Sequence, residues 1–320
     1  MALFPWPLAR ACRAGRYLED LAGRCPRSIT PQVMTGPPVL PTMAKVTSTT
    51  AIQPDAAGSP VGRLLRNWRE RRRLTQLELA LRAEVSARHL SFVETGRSRP
   101  TSEMILRLAG QLDVPLRERN LLLLSGGYAP LYPANGLADP PMSAVHDAIE
   151  HVLRAHEPFP AVVIDTSWEL VAANEAVPLL TEGAAGELLE PPVNVLRLSL
   201  HPDGMAPRIV NLAEWRAHLL HRLDRDIEST ADATLIALRD ELTAYPSPPP
   251  ASSPDTRAIL VPLQLRAGDT VISLFSTTTV FGTPRDVTLS ELAIESFYPA
   301  DPPTAAFFRS IRPSGDGRSS

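Results

Sequence analysis

The sequence predicts two folded units of different class, an all-α unit of five helices and then an α+β domain. Three observations predict it. Charge is segregated: residues 61–126 hold thirteen arginines and seven acids, net +6, while residues 127–320 hold thirteen arginines and twenty-five acids, net -12. Helical apolar spacing with short breaks fills 61–125, whereas period-2 alternation bounded by turn residues occurs only further on. The length of 320 residues fits about two domains.

Residues 1–58 carry scattered prolines and small polar residues, as in Thr35-Gly36-Pro37-Pro38, and no apolar period. They are read as a disordered extension in which Met43 offers a second start. The helical unit spans 59–128. Leu64, Leu65 and Trp68 form the stripe of its first helix, which ends in Arg71-Arg72-Arg73. Thr75 and Glu78 have the spacing of a capping box and open a second helix with Leu79 and Ala80 inward. Ser86 caps a third, with Leu90 and Val93 inward and Gly96 as its stop. Pro100-Thr101 opens a fourth, in which Ile105, Leu108, Ala109 and Leu112 follow the i, i+3, i+4, i+7 pattern. Leucine-rich 116–125 is the fifth. Pro130, Pro133, Pro140 and Pro141 mark 129–141 as a semi-rigid linker.

The second domain is placed at 142–310, with a flexible tail at 311–320. A helix covers 143–156. Val162–Asp165 and Trp168–Ala173 form a hairpin around Thr166-Ser167. Helices follow at 212–223 and 233–244, then a Pro/Ser loop at 246–254. Ile259, Val261, Leu263 and Leu265 alternate as a strand, and Ala267-Gly268-Asp269 turns the chain into Thr270–Phe281. Over 289–298, Leu292 and Ile294 lie opposite Glu291, Ala293 and Glu295, the pattern of a half-buried strand with its acids in water.

Composition excludes several classes. Cys12 and Cys25 cannot build a disulfide framework or a cysteine-rich zinc site. No apolar run reaches the ~18 residues of a membrane span. Arg10, Arg13 and Arg16 interrupt any secretory signal, so the expected location is cytoplasmic. One lysine against 31 arginines reflects coding bias rather than chemistry. The basic block is expected to meet a polyanion.

The second and third helices, joined across Glu84-Val85, make a helix-turn-helix. Such a second helix fits the major groove and offers its N-terminal residues to base edges. Here those residues are Ala87, Arg88, His89 and Ser91, with Ser86 and Phe92 in the same DNA-facing set. Arg88 is the candidate for guanine, whose two acceptors match its fork. Gln76 is placed on a phosphate, and Arg97 and Arg99 on the passing backbone. The order Leu74-Thr75-Gln76-Leu77-Glu78-Leu79-Ala80, Val85-Ser86, then Leu90 through Pro100 resembles the Xre-type, lambda-repressor-like family. That resemblance implies a five-helix bundle that binds double-stranded operator DNA, commonly as a homodimer. The family's turn usually has Gly where this chain has Glu84; a Glu fits at negative φ, or by strain of about 1 kcal/mol.

Ala161–Asp165, Val171–Asn174, Asn194–Leu198, Glu214-Trp215, Phe281-Gly282-Thr283-Pro284 and Glu295–Asp301 resemble the MmyB-like regulator ligand-binding domain. The resemblance implies a PAS-like antiparallel sheet flanked by helices, with a cavity for a small apolar, fatty-acid-like ligand. The pocket candidates are Trp168, Asn174, Trp215, Phe275 and Phe281; each is otherwise ordinary core, and Asn174 otherwise a helix cap.

No phosphate-binding loop, dinucleotide fingerprint or nucleophile elbow occurs, so no catalytic residue and no cofactor are expected. Glu214, His218 and His221 share one helix face and are the one arrangement open to a divalent metal, but such a trio reads first as a solvated face, and no metal is expected. The sequence reading is a DNA-binding transcriptional regulator controlled by a small ligand. Two alternatives are a protein-interaction adaptor that has lost DNA binding and a metal-dependent enzyme fused to the helical unit.

Overall fold

The computed structural model describes residues 60–247 and 260–311. The expected N-terminal extension with both cysteines, most of the Pro/Ser loop, Ile259 and the tail beyond Ile311 lie outside the described residues. Those described form two compact units that divide between Leu131 and Tyr132.

The first unit is five helices: α1 (Pro60–Arg71), α2 (Gln76–Arg82), α3 (Ala87–Glu94), α4 (Ser102–Gln111) and α5 (Leu116–Ser125). Their stripes meet in one core containing Leu65, Trp68, Leu79, Leu90, Val93, Ile105, Leu108 and Leu122. The starts of α2, α3 and α4 are fixed by side-chain caps that satisfy orphan N–H groups. Glu78 N–H donates to Thr75 Oγ1 (3.2 Å), and Thr75 N–H donates back to Glu78 Oε2 (2.7 Å). Ser86 Oγ accepts from His89 N–H at 3.1 Å, and Thr101 Oγ1 from Met104 N–H at 3.2 Å.

The five helices also end alike. Just past each C-cap stands a residue in the left-handed region: Arg73 (φ 55°), Glu84 (53°), Gly96 (76°), Asp113 (47°) and Gly127 (81°). The next N–H then reaches back across the last turn, as from Leu74 to Arg69 O (3.1 Å), Val85 to Ala80 O (2.9 Å) and Val114 to Ala109 O (3.0 Å). This is the Schellman closure, which glycine makes most easily. Glu84 therefore does not take the negative φ that would accommodate it freely; it sits where a Cβ costs roughly 1 kcal/mol.

The second unit begins with α6 (Ser143–Ala155), β1 (Ala161–Ile164) and β2 (Leu170–Ala173). Then come α7 (Val177–Leu180), α8 (Val195–Leu200), α9 (Leu212–Thr230) and α10 (Ala233–Ala244). It closes with β3 (Leu263–Ala267), β4 (Thr270–Val280), α11 (Val287–Ser290), β5 (Ala293–Pro299) and α12 (Pro302–Ile311). The strands form one antiparallel sheet in the order β2-β1-β5-β4-β3. Both faces of β1 are covered. Val162 and Ile164 enter the larger core with Trp168, Trp215, Leu223 and Leu265, while Ala161 and Val163 pack with Ile149 and Leu153 of α6. Residues 133–135 lie on this unit: Val287 N–H donates to Pro133 O (2.8 Å), and Asn135 Nδ2 donates to Asp286 Oδ2 (2.8 Å).

Two strand expectations change. The strand expected over 289–298 starts at Ala293, after the turn of α11, which Asp286 caps. Glu295 does not face water: it is 5% exposed. Its carboxylate accepts from Arg222 Nη1 (2.7 Å), Arg222 Nη2 (3.1 Å) and Ser276 Oγ (2.7 Å). A charge is tolerated there because the guanidinium fork and a hydroxyl satisfy it.

Candidate functional site

The helix-turn-helix is built by α2, the turn Ala83–Ser86, and α3. Ser86 spends its hydroxyl capping α3, so it positions the helix start. Arg88 and His89 are exposed, and Ser91 and Phe92 are half-buried. The Arg88 guanidinium lies 5.3 Å from the Phe92 ring centroid and that of Arg97 lies 6.0 Å from it, so one ring carries two cations. His89 Nε2 is 3.4 Å from Ser98 Oγ, which joins α3 to the loop after it.

Three of the residues expected to contact DNA are also engaged within the protein. Ala87 is half-buried, packed against the bundle core. Arg99 donates through Nη2 to Gly126 O (2.9 Å) and lies 5.9 Å from the Tyr128 ring, so it ties the loop to the end of α5. Gly127 takes φ 81°, and an added Cβ would meet Arg99 Nη2 at 2.4 Å, so the guanidinium would have to shift. Gln76 donates through Nε2 to Glu94 Oε2 at 2.7 Å.

That last bond belongs to a buried network without local sequence signal. Arg69 of α1 grips Glu94 of α3 with Nε (2.7 Å) and Nη2 (2.9 Å), and its Nη1 donates to Leu74 O (2.8 Å). The Glu94 hydrogen bond holds the Arg69 guanidinium above its ordinary pKa, against the opposing effect of burial. Twenty-five residues separate the partners, so no helical spacing reveals them. Arg72 is likewise structural: Nε donates to Leu112 O (2.9 Å) and Nη2 to Asp113 O (3.1 Å), covering the end of α4. The arginines of this unit thus divide. Arg69, Arg72 and Arg99 satisfy protein acceptors, whereas Arg88 and Arg97 point their charge outward across Phe92.

In the second unit the five pocket candidates are not brought together. Trp168 and Trp215 share the larger core, but Phe281 packs on the opposite face of the sheet beside α6. Phe275 stacks on its cross-strand partner Tyr298 at 5.4 Å. Asn174 is neither cap nor open contact. It is 4% exposed, accepts from Ala161 N–H (3.0 Å) and donates to Phe159 O (2.8 Å) and Leu153 O (3.3 Å), which clamps α6 to β1. Trp168 holds a left-handed backbone (φ 62°). Its Nε1 donates to Asp226 Oδ2 at 3.1 Å, and the Arg222 guanidinium lies 4.8 Å from its ring. Burial pushes the Asp226 carboxyl up, opposed by that indole bond and by Arg222. Trp215 Nε1 donates to Ser199 Oγ (3.0 Å) and its ring stacks on His218 at 5.5 Å.

Burial and the neighbouring Arg222 lower the His218 pKa. Glu214 and His221 are exposed on the same helix, and among the described residues no His, Cys, Asp and Glu side chains converge as a metal-binding group. No helix of the described residues is long and apolar enough to cross a membrane.

Comparison with known proteins agrees with this architecture. Residues 65–119 match the helix-turn-helix family, and residues 145–311 match the MmyB-like transcription regulator ligand binding domain. None of the curated proteins matches the chain. Among solved structures, the chain is similar to the clp gene regulator ClgR from C. glutamicum, at 27% identity over 23% of this chain and 92% of that one, with a TM-score of 0.20. A second ClgR structure, from Corynebacterium glutamicum, is 23% identical over 31% of this chain and 93% of that one, with a TM-score of 0.19. An RNA-binding Light-Oxygen-Voltage receptor is 13% identical over 80% of this chain and 62% of that one, with a TM-score of 0.24. With the ligand-binding-domain match spanning just over half of its length behind a helix-turn-helix, the chain belongs to the MmyB-like transcription regulators and is a DNA-binding regulator.

Proposed function

We propose that this regulator reads a duplex operator with the outward face of α3 and answers to a small apolar, fatty-acid-like ligand in its second unit. Arg88 makes the bidentate contact to a guanine, with His89 and Ser91 beside it. Arg97 and Gln76 meet the phosphate backbone. Two copies bind a near-palindrome with half-sites about 34–36 Å apart, because one α3 reads only a few base pairs.

The observation that carries this reading is the placement of Arg88. It stands in the first turn of the second helix of the motif, exposed, with its guanidinium over Phe92 and no carboxylate partner among the described residues. In a selection from random duplexes, Arg88→Ala should cost about 1–3 kcal/mol on the preferred site and relax preference at one position of each half-site. An unchanged preference removes Arg88 from readout.

The ligand half of the proposal is supported by the match of residues 145–311 to the MmyB-like transcription regulator ligand binding domain. A ligand alters DNA affinity only through different affinities for two conformations. Native mass spectrometry of the purified chain checks both copy number and bound molecule: the expected species is a dimer carrying a lipid-like mass.

A further inference from the structure

We infer that Glu94 is a positioning residue of the DNA interface: clamped by Arg69, its carboxylate orients the Gln76 amide at the start of α2 so that one N–H remains for a duplex phosphate. The inference rests on the reading of Gln76 as a phosphate contact and adds what prepares it.

Glu94 is an acid at the end of the DNA-facing helix of a basic unit, yet it is only 5% exposed. Its rotamer is fixed from one side by both arms of the Arg69 fork, at 2.7 and 2.9 Å. Arg69 is itself fixed by the Leu74 carbonyl at 2.8 Å. Oε2 then accepts from Gln76 Nε2 at 2.7 Å. An ionised carboxylate only accepts, so it must face the amide nitrogen and not the amide oxygen. That nitrogen carries two protons; Glu94 takes one, and because the side chain is only half-buried the other is left for a phosphate. An unclamped Gln76 would sample many rotamers as well as both amide orientations, one of which sets its oxygen against the phosphate with two acceptors in repulsion. The clamp removes that orientation before DNA arrives and removes the ordering cost from the binding step.

The test is a thermodynamic cycle on the full chain with the duplex it selects. Gln76→Ala is measured in the native chain and in an Arg69→Met/Glu94→Leu background, where an apolar pair replaces the ion pair without leaving a lone buried charge. In the native chain Gln76→Ala should raise Kd about tenfold, as for a lost bond to a charged group. Base preference and salt slope should stay unchanged, because the contact is to backbone and a neutral amide displaces no counterion. In the apolar background the same substitution should change Kd less than twofold. An equal cost in both backgrounds keeps the phosphate contact but overturns the role of Glu94. No cost in the native chain overturns both, and leaves readout by Arg88 standing.

A second measurement needs no substitution and so survives a background that fails to fold. The chain has five glutamines, so selective ¹⁵N-glutamine labelling resolves the Gln76 amide. Its two Nε2 protons should be widely split, and added duplex should move only one of them. Two protons that shift together would contradict the clamp.

Discussion

At the scale of single residues, the first unit is shaped by side chains that close helix ends. Three of its five left-handed closures use Arg73, Glu84 and Asp113 instead of glycine. Each keeps the Schellman hydrogen bonds but bears Cβ crowding that glycine avoids. Glu84→Gly should therefore stabilise the unit by up to about 1 kcal/mol, offset in part by the greater freedom glycine gives the unfolded chain. Urea unfolding of the variant checks it; a loss of stability would mean that the Glu84 side chain makes a favourable contact in the turn. Gly96→Ala should act in the opposite direction, since it adds a Cβ at φ 76°. These residues also show how far local reading extends. The capping box at Thr75 and Glu78 is legible because both bonds join residues three apart. The occupation of Gln76 and Arg99 is not, because Glu94 is 18 residues from one and the Gly126 carbonyl 27 from the other.

At the scale of elements, helices and sheet are joined by ion pairs between residues distant in sequence. Arg222 and Glu295 are 73 apart and join α9 to β5, so alternation along β5 marks Glu295 as a solvent residue when it is a buried acceptor. Alternation predicts a wet face only where one face of the strand is uncovered; α9 lies across this one. A second such joint is accessible to measurement. Arg197 of α8 holds Glu241 of α10 with Nε (2.7 Å) and Nη2 (2.8 Å), and the Tyr245 hydroxyl donates to the same carboxylate. The Arg197 bonds come first, and Tyr245 adds to them, in holding Glu241 down to about 2. A carboxyl with a lowered folded pKa contributes stability that is full above its unfolded value near 4.5 and is lost as pH falls toward 2. Glu241→Gln should thus lower stability at neutral pH and flatten the acid limb between those values. An acid limb identical to that of the native chain would take Glu241 out of it. The Tyr245 phenol is pushed up to about 12, by burial and then by Glu241, so the same joint loses stability as pH rises from 10 toward 12.

At the scale of the whole molecule, the organisation is visible in charge and periodicity before any contact is known. Residues 61–126 carry net +6 and residues 127–320 net -12, and the two units that emerge divide close to that change of sign. The class of each unit was legible because caps, stops and apolar period agree along 61–125, and because strands appear only in the second half. The pocket candidates were less so. Aromatic residues mark core without saying which face of a sheet they share, and Phe281 stands on the opposite face from Trp168. The account depends most on the claim that DNA reading resides wholly in the first unit. Its direct test is to measure binding of the isolated fragment 59–128 to the duplex that the full chain selects, at low and at moderate salt. The account predicts a folded helical fragment that binds with the same base preference and with affinity that falls steeply as salt rises. A fragment that folds yet ignores this duplex at low salt would contradict it.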